Sequence, residues 1–299
     1  MPKPAACVSL IAGLFLLCAF QDVQVHVDVE AVNLFVTVTD SQGRFITDLT
    51  QDRFIVYEDG VPQEISNFIQ ETDLPLRIGL LIDTSSSVRL KLGFEQDAAI
   101  KFIRSVMRKN DQALLVEFDE GVTLVHDFTS RSTAIVQAVR QLRAGGGTAL
   151  WDAIYVVARE KMTDRLARKT LVVVSDGADL NSSRSLDQAL EMVQASEVTV
   201  FSVGTSKFGA SQNKKGENAL KELSQETGGT AFFPHSTELL DKSFDLINRE
   251  LRSQYSITYT PKNEARDGKF RDIKVRLADS KGLKLRHKKG YWAPSEKTS

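Results

Sequence analysis

The chain alternates between apolar and polar positions soon after its N-terminus. Valines occupy every second position from Val23 to Val29, and the alternation returns from Leu34 to Val38. Turn-forming residues interrupt the pattern at positions 40–43 and at Asp59-Gly60. A period of two that is broken by such turns predicts strands and hairpins rather than helices.

The middle of the chain changes to short apolar runs separated by amphipathic stretches. The apolar runs predict strands at residues 78–82, 113–118, 122–128, 171–174, 198–203 and 230–233. Apolar residues spaced by three and four predict helices within residues 99–107, 133–143, 150–158, 186–195, 219–227 and 240–251. Strands buried on both faces by intervening helices predict an α/β fold with a doubly wound, mostly parallel sheet and right-handed crossovers.

The alternating pattern returns after residue 253, in residues 255–259 and 273–277. Each terminal β segment is too small to bury a core alone, so we expect the two to pack together. This predicts a small β-sandwich-like domain built from residues 22–73 and 253–294, with residues 295–299 as a C-terminal tail. The α/β domain, residues 74–252, is then an insertion whose two ends are neighbours.

The first 20 residues have the form of a secretory signal peptide, with Lys3 followed by an uncharged, mostly apolar run to Phe20. The run is too short to span a bilayer comfortably, and no later stretch approaches the roughly 20 apolar residues that a span requires. Both cysteines, Cys7 and Cys18, lie inside this segment. We therefore expect an exported, periplasmic or extracellular protein without disulfides or thiolate metal ligands. A lipid anchor at Cys18 is the alternative, but Leu17 stands where such processing prefers a small residue.

Charge adds one asymmetry to this picture. The 299 residues have a formal net charge of −1, which provides no field for holding nucleic acid or an anionic membrane. Residues 262–299 contain 12 Lys and Arg against 5 Asp and Glu. These charges alternate with apolar residues and have few aromatic neighbours, so we interpret them as the solvated face of a sheet rather than as a nucleic-acid, glycan or phospholipid site.

Oxygen-bearing side chains follow several of the predicted buried strands. Asp83, Ser85 and Ser87 form a D-x-S-x-S pattern after the first strand, Thr148 follows three glycines, and Asp176 ends the central strand. Open α/β sheets bind ligands at the carboxyl ends of their strands, so these loops are expected to meet at one edge. Two carboxylates and three hydroxyls suit a hard ion, Mg²⁺ first with Mn²⁺ or Ca²⁺ possible, and zinc does not fit.

Asp83, Ser85, Ser87, Thr148 and Asp176 resemble the complete metal-ion-dependent adhesion site of the von Willebrand factor type A fold, over residues 76–252. The flanks, at residues 54–59 and 288–291, also resemble exported bacterial proteins built around a related domain. The resemblance implies that the three hydroxyls bind the ion almost directly and that the two aspartates hold coordinated waters. It implies further that a protein or peptide partner supplies a carboxylate to the open position, so the protein is expected to be an adhesion module and not an enzyme.

Simpler interpretations exist for each residue taken singly. Asp83 and Ser85 could cap a helix, the three glycines could form a flexible turn, and Asp176-Gly177 could end a strand. A metal-assisted hydrolase would need a base beside Ser85 or Ser87, and the four histidines show no arrangement that places one there. A structural envelope scaffold with no ligand at the metal is the third alternative. The sequence does not indicate an oligomeric state.

Overall fold

The computed structural model describes residues 31–70, 74–164, 167–206 and 213–295. Its central sheet contains β5 (Leu76–Asp83), β6 (Gln112–Phe118), β7 (Val122–Thr129), β8 (Arg168–Ser175), β9 (Thr199–Gly204) and β10 (Ala231–Phe232). Its helices are α1 (Leu92–Val106), α2 (Ser132–Gln141), α3 (Leu150–Glu160), α4 (Leu186–Ala195), α5 (Lys214–Glu226) and α6 (Thr237–Leu251). The strands before this region are β1 (Val32–Thr39), β2 (Phe54–Glu58), β3 (Val61–Gln63) and β4 (Ile65–Ile69). Those after it are β11 (Tyr255–Tyr259), β12 (Phe270–Leu277), β13 (Lys284–Arg286) and β14 (Gly290–Trp292).

The central sheet has the strand order β10-β9-β8-β5-β6-β7. All neighbouring pairs are parallel except β6 and β7, which pair antiparallel at one edge. Side chains that point to opposite faces of β5 enter two separate cores: Leu80 and Ile82 pack with α1, α2 and α6, whereas Leu81 packs with α3, α4 and α5. The predicted doubly wound, mostly parallel sheet is therefore confirmed.

Two antiparallel sheets flank this α/β region. Their strand orders are β13-β1-β11-β4 and β14-β12-β2-β3, so each sheet combines strands from both ends of the described chain. One hydrophobic cluster joins the sheets and includes Leu34 of β1, Val56 of β2, Ile257 of β11 and Val275 of β12. On β12, exposed Asp272, Lys274 and Arg276 alternate with buried apolar residues, as expected for the solvated face of a sheet.

Buried polar groups connect the last helix to these sheets. Glu250, near the end of α6, accepts a hydrogen bond from the Thr37 hydroxyl of β1 at 3.1 Å and pairs with Arg286 of β13. Burial raises the pKa of Glu250, and Arg286 opposes that rise. Because a buried charge without a partner is costly, this contact favours one position of α6 relative to β1.

Two elements are longer than their apolar patterns predict. Strand β8 begins at Arg168, three residues before the predicted apolar run, because polar Arg168, Lys169 and Thr170 are themselves buried. Helix α5 begins at Lys214 instead of near residue 219, with the Asn213 side chain accepting a hydrogen bond from the Gly216 N–H at 3.0 Å. Asparagine at a helix N-cap satisfies a free N–H, which explains the earlier start.

The predicted signal peptide, both cysteines and most of the C-terminal tail lie outside the described residues. Within the described ranges, no helix combines the length and the apolar character needed to cross a membrane.

Candidate functional site

The D-x-S-x-S segment leaves the carboxyl end of β5 as a tight, hydrogen-bonded turn. The backbone N–H of Ser85 donates to Asp83 Oδ1 at 2.9 Å, and the Ser85 and Ser87 hydroxyl oxygens lie 2.9 Å apart. A short helical turn covers Ser86–Val88, and α1 begins only at Leu92. Ser85 occupies the N-cap position of this short turn, but its side chain makes no capping hydrogen bond, so capping does not account for the Ser85 hydroxyl.

The end of β8 brings the second carboxylate to the same place. The Ser87 hydroxyl donates to Asp176 Oδ2 at 3.2 Å, although the two residues are 89 positions apart in sequence. Asp176 Oδ1 accepts the N–H of Ala178 at 2.9 Å, which fixes the orientation of the carboxylate. Ser85, Ser87 and Asp176 therefore form a continuous chain of oxygen atoms across two loops.

Asp83 lies at the base of this cluster and is fully buried. Its second oxygen accepts a hydrogen bond from the Ser175 hydroxyl at 2.8 Å, and that hydroxyl in turn accepts the Gly177 N–H at 3.0 Å. Burial raises the pKa of Asp83 to about 6; the Asp176 carboxylate adds to this rise, and hydrogen bonds from Ser85 and Ser175 oppose it. A cation bound at this site would favour the ionised form of Asp83.

Backbone hydrogen bonds hold Thr148 against the loop that follows Asp176. Its N–H donates to Asn181 Oδ1 at 2.9 Å, and its carbonyl accepts the N–H groups of Leu180 and Asn181, each at 2.9 Å. These bonds hold the start of α3 against the loop that follows Asp176. In the part of the chain that the structure describes, no hydrogen bond joins the Thr148 hydroxyl to the other four predicted site residues.

The three glycines before Thr148 form a defined turn. Gly146 adopts a left-handed backbone conformation with φ of +69°, and its carbonyl accepts the Ser86 N–H at 3.2 Å. A Cβ atom on Gly147 would lie 2.0 Å from Asn181 Oδ1. Gly147 therefore allows the close approach of Asn181, and Gly146 supplies a backbone conformation that favours glycine, so flexibility alone does not explain these two glycines.

The sequence pattern did not identify some residues that support the site. Ser175 and Asn181 hold Asp83 and Thr148 in place, respectively. Ser175 could have been noticed as the polar residue that ends the wholly apolar run 171–174. Nothing in the sequence points to Asn181. Asp179, three positions after Asp176, accepts the N–H groups of Leu150 and Trp151 at 2.9 and 3.3 Å. It therefore caps α3.

Glu95 is another such residue, on the first part of α1 below the cluster. Its side chain is 1% exposed, and neither carboxylate oxygen has a hydrogen bond of normal geometry within the described residues. Burial raises its pKa to about 8; the Thr205 hydroxyl and Lys91 favour the ionised form, and the carboxylates of Asp83 and Asp176 disfavour it. A third acidic side chain thus lies near the site, and burial favours its protonated form.

The histidines do not support a nucleophilic serine. His126 Nδ1 bonds to the Asp127 carbonyl, and His287 Nε2 accepts the Val275 N–H at 3.1 Å. No described histidine is hydrogen-bonded to Ser85 or Ser87, and His26 lies outside the described residues. The arrangement favours metal coordination over general-base catalysis, which needs a base within hydrogen-bond reach of the nucleophile.

Comparison with known proteins gives consistent matches. A family model described as the von Willebrand factor type A domain matches residues 78–246. Integrin alpha-X of Mus musculus is 28% identical over 200 residues, which are 62% of this chain and 16% of that protein. The chain thus spans only a small part of that relative's length.

Solved structures with this fold include a von Willebrand factor type A protein from Catenulispora acidiphila. Its TM-score is 0.54 at 14% identity, covering 91% of this chain and 76% of that chain. The vWF domain of the type V pili tip protein Mfa5 from Porphyromonas gingivalis has a TM-score of 0.51 at 14% identity, covering 60% and 95%. These likenesses confirm the α/β fold with its mostly parallel central sheet.

Proposed function

Because the chain belongs to the von Willebrand factor type A domain family, we propose that it binds a partner protein through a divalent metal ion at the carboxyl edge of its central sheet. The ion would be held by Asp83, Ser85, Ser87, Thr148 and Asp176. The single observation that carries the proposal is the contact of Ser87 with Ser85 and with Asp176, at 2.9 and 3.2 Å, which joins the oxygen ligands of two separate loops. The similarity to an integrin alpha chain and to the vWF domain of a pilus tip protein supports a protein-binding, adhesive role.

The donor set fits Mg²⁺, and Mn²⁺ or Ca²⁺ would be accepted by the same oxygens. With the three neutral hydroxyls as direct ligands and the two aspartates acting through coordinated waters, the ion would keep its positive charge available to an acidic side chain from outside, which would make a strong, charge-assisted contact. When bound, the ion supplies electrostatic attraction for that carboxylate. The chain itself fixes the orientation of both carboxylates. Ser85 and Ser175 hold the Asp83 carboxylate, and the Ala178 N–H holds the Asp176 carboxylate.

We also infer that residues 22–73 and 253–294 form one β domain into which residues 74–252 are inserted. The hydrophobic cluster shared by β1, β2, β11 and β12 supports this division. We propose an exported location, which the apolar segment before Phe20 supports. No catalytic role is assigned, because the described histidines do not reach the serines.

Calorimetric titration of Mg²⁺ and Mn²⁺ tests the metal site directly. Wild-type protein is expected to bind one ion at this site, and Asp83→Asn and Asp176→Asn are expected to abolish or greatly weaken that binding while remaining folded by circular dichroism. Asp97→Asn, which removes an exposed carboxylate on α1, is the matched control and should bind like wild type. Absence of metal binding by the folded wild-type protein would refute the proposal and favour a metal-free scaffold.

A further inference from the structure

The segments next to the proposed metal ligands carry strongly exposed apolar side chains. The three most exposed large apolar side chains in the described part of the chain are Leu90, Leu180 and Phe94, which are 93%, 80% and 53% exposed. Leu90 lies three positions after Ser87, and Leu180 lies four positions after Asp176. Single exposed leucines are ordinary on protein surfaces, but a group of them at one edge indicates a contact surface.

Backbone hydrogen bonds fix the segments that carry these side chains. Leu180 follows the loop that contains Asp176, and its N–H donates to the Thr148 carbonyl at 2.9 Å. The turn that contains Leu90 is closed by a hydrogen bond from the Lys91 N–H to the Val88 carbonyl at 2.9 Å. Phe94 continues from the same turn, with its N–H bonded to the Lys91 carbonyl at 2.9 Å. We call Leu90, Phe94 and Leu180 the apolar rim.

Basic side chains lie at the same edge. Arg89 is exposed next to Leu90, and Lys214 and Lys215 are exposed on the first turn of α5. This turn packs against Gly177, where a Cβ atom would lie 2.6 Å from the Gly216 carbonyl carbon. The positive charges therefore stand next to both loops that carry the proposed metal ligands, which complements an acidic partner, while Asp119 and Glu120 place negative charge at the glycine turn on the other side.

Resting on the proposed function, we infer that the apolar rim selects the partner: a protein segment in which an acidic side chain stands within a few residues of a large apolar side chain. The carboxylate would reach the metal, and the apolar side chain would cover Leu90 or Leu180. Apolar burial beside a charged anchor supplies affinity that the carboxylate alone does not, and the basic side chains favour acidic segments during encounter. A partner segment with an acid among only small polar residues would leave the rim exposed.

A phage-displayed library of random twelve-residue peptides provides the probe. The purified protein is immobilised, exposed to the library in Mg²⁺ and eluted with EDTA, and enriched peptides are synthesised for fluorescence-anisotropy titration. Enriched sequences are expected to combine Asp or Glu with a nearby Leu, Ile, Phe or Trp, and replacing the acid by its amide should abolish binding.

The Leu90→Ser, Leu180→Ser double variant tests the rim itself. It should bind Mg²⁺ like wild type by calorimetry and bind the enriched peptides at least about tenfold more weakly, since burying an apolar side chain is worth that much or more. Val61→Ser is the matched control, because Val61 is 48% exposed on β3 of a flanking sheet. This control should leave peptide affinity unchanged.

The possible results separate the two proposals. Acidic peptides that lack apolar residues, or that bind the double variant as tightly as wild type, overturn the inference about the rim and leave the metal-dependent function standing. Enrichment of peptides without acids, elution that does not need EDTA, or no enrichment at all overturns both the rim and the carboxylate-binding function. Metal binding by calorimetry then decides whether the ion site itself survives.

Discussion

The carboxyl group of Glu95 should make the stability of the protein fall as the pH rises. Its side chain is buried in α1 without a hydrogen bond of normal geometry, and burial raises its pKa to about 8 from the ordinary value of 4.5. The folded state therefore retains a proton that the unfolded chain releases above pH 4.5. The stabilisation that this proton gives the folded state is complete below pH 4.5. It is lost progressively as the pH rises to 8.

The size of the effect follows from the two pKa values. Between pH 5 and pH 8, the difference in proton binding lowers the free energy of unfolding by about 3 kcal/mol. Glu95→Gln has similar volume and no titration, so the variant lacks this loss. Lys91 and Thr205 face the carboxyl group and reduce its pKa shift, whereas Asp83 and Asp176 increase it. Asp83, whose pKa is raised to about 6, adds its own pH dependence in both proteins.

Urea unfolding at pH 5 and pH 8, in EDTA to keep the metal site empty, measures the difference. The quantity compared is the free energy of unfolding of wild type minus that of Glu95→Gln, so contributions shared by both proteins cancel. This difference should become more negative by about 3 kcal/mol from pH 5 to pH 8. A difference that stays constant would refute the reasoning, because Glu95 would then be ionised in the folded state.

Three further predictions concern the site. Gly147→Ala should lower the melting temperature by several degrees, because its Cβ atom would lie 2.0 Å from Asn181 Oδ1, whereas Gly145→Ala, with nothing within 4 Å, is the control; equal melting temperatures would contradict the contact. Ser175→Ala should lower the free energy of unfolding by about 1–3 kcal/mol in urea, because Asp83 loses a buried donor; an unchanged midpoint would show that the bond contributes nothing. Saturating Mg²⁺ at 100 times its dissociation constant should stabilise the protein by about 2.7 kcal/mol, and EDTA should reverse this in differential scanning calorimetry; a melting temperature indifferent to both additions would argue against the metal site.

The candidate site was predictable because its residues follow buried strands. The apolar runs before Asp83 and Asp176 identify β5 and β8, and parallel neighbours in a sheet place their carboxyl ends at one edge. The contact between Ser87 and Asp176 is the geometric result of that topology. Thr148 lies beside the same loops, but within the described residues its hydroxyl makes no hydrogen bond to the other four predicted ligands.

Supporting residues were harder to predict, because their roles depend on partners distant in sequence. Asn181 holds Thr148 from 33 positions away, and nothing in its local sequence distinguishes it from an ordinary loop residue. Glu95 occupies a helix position whose apolar neighbours suggest no buried acid. Asp179 follows the same strand as Asp176, but its oxygen accepts backbone N–H groups at the start of α3. The local sequence does not show whether such a polar residue supports the site, caps a helix or lies on the surface.

The sequence by itself determined the alternation of elements, the sheet type and the residue types at the strand ends, because apolar periodicity reflects which faces are buried. Tertiary structure alone decided which oxygen atoms meet, since hydrogen bonds between loops depend on the order and register of the strands. It also decided that Glu95 is buried without a hydrogen-bond partner in the described chain, and that Leu90, Phe94 and Leu180 remain exposed at one edge. Burial is a property of the folded surroundings of a side chain, so an isolated sequence position does not specify it.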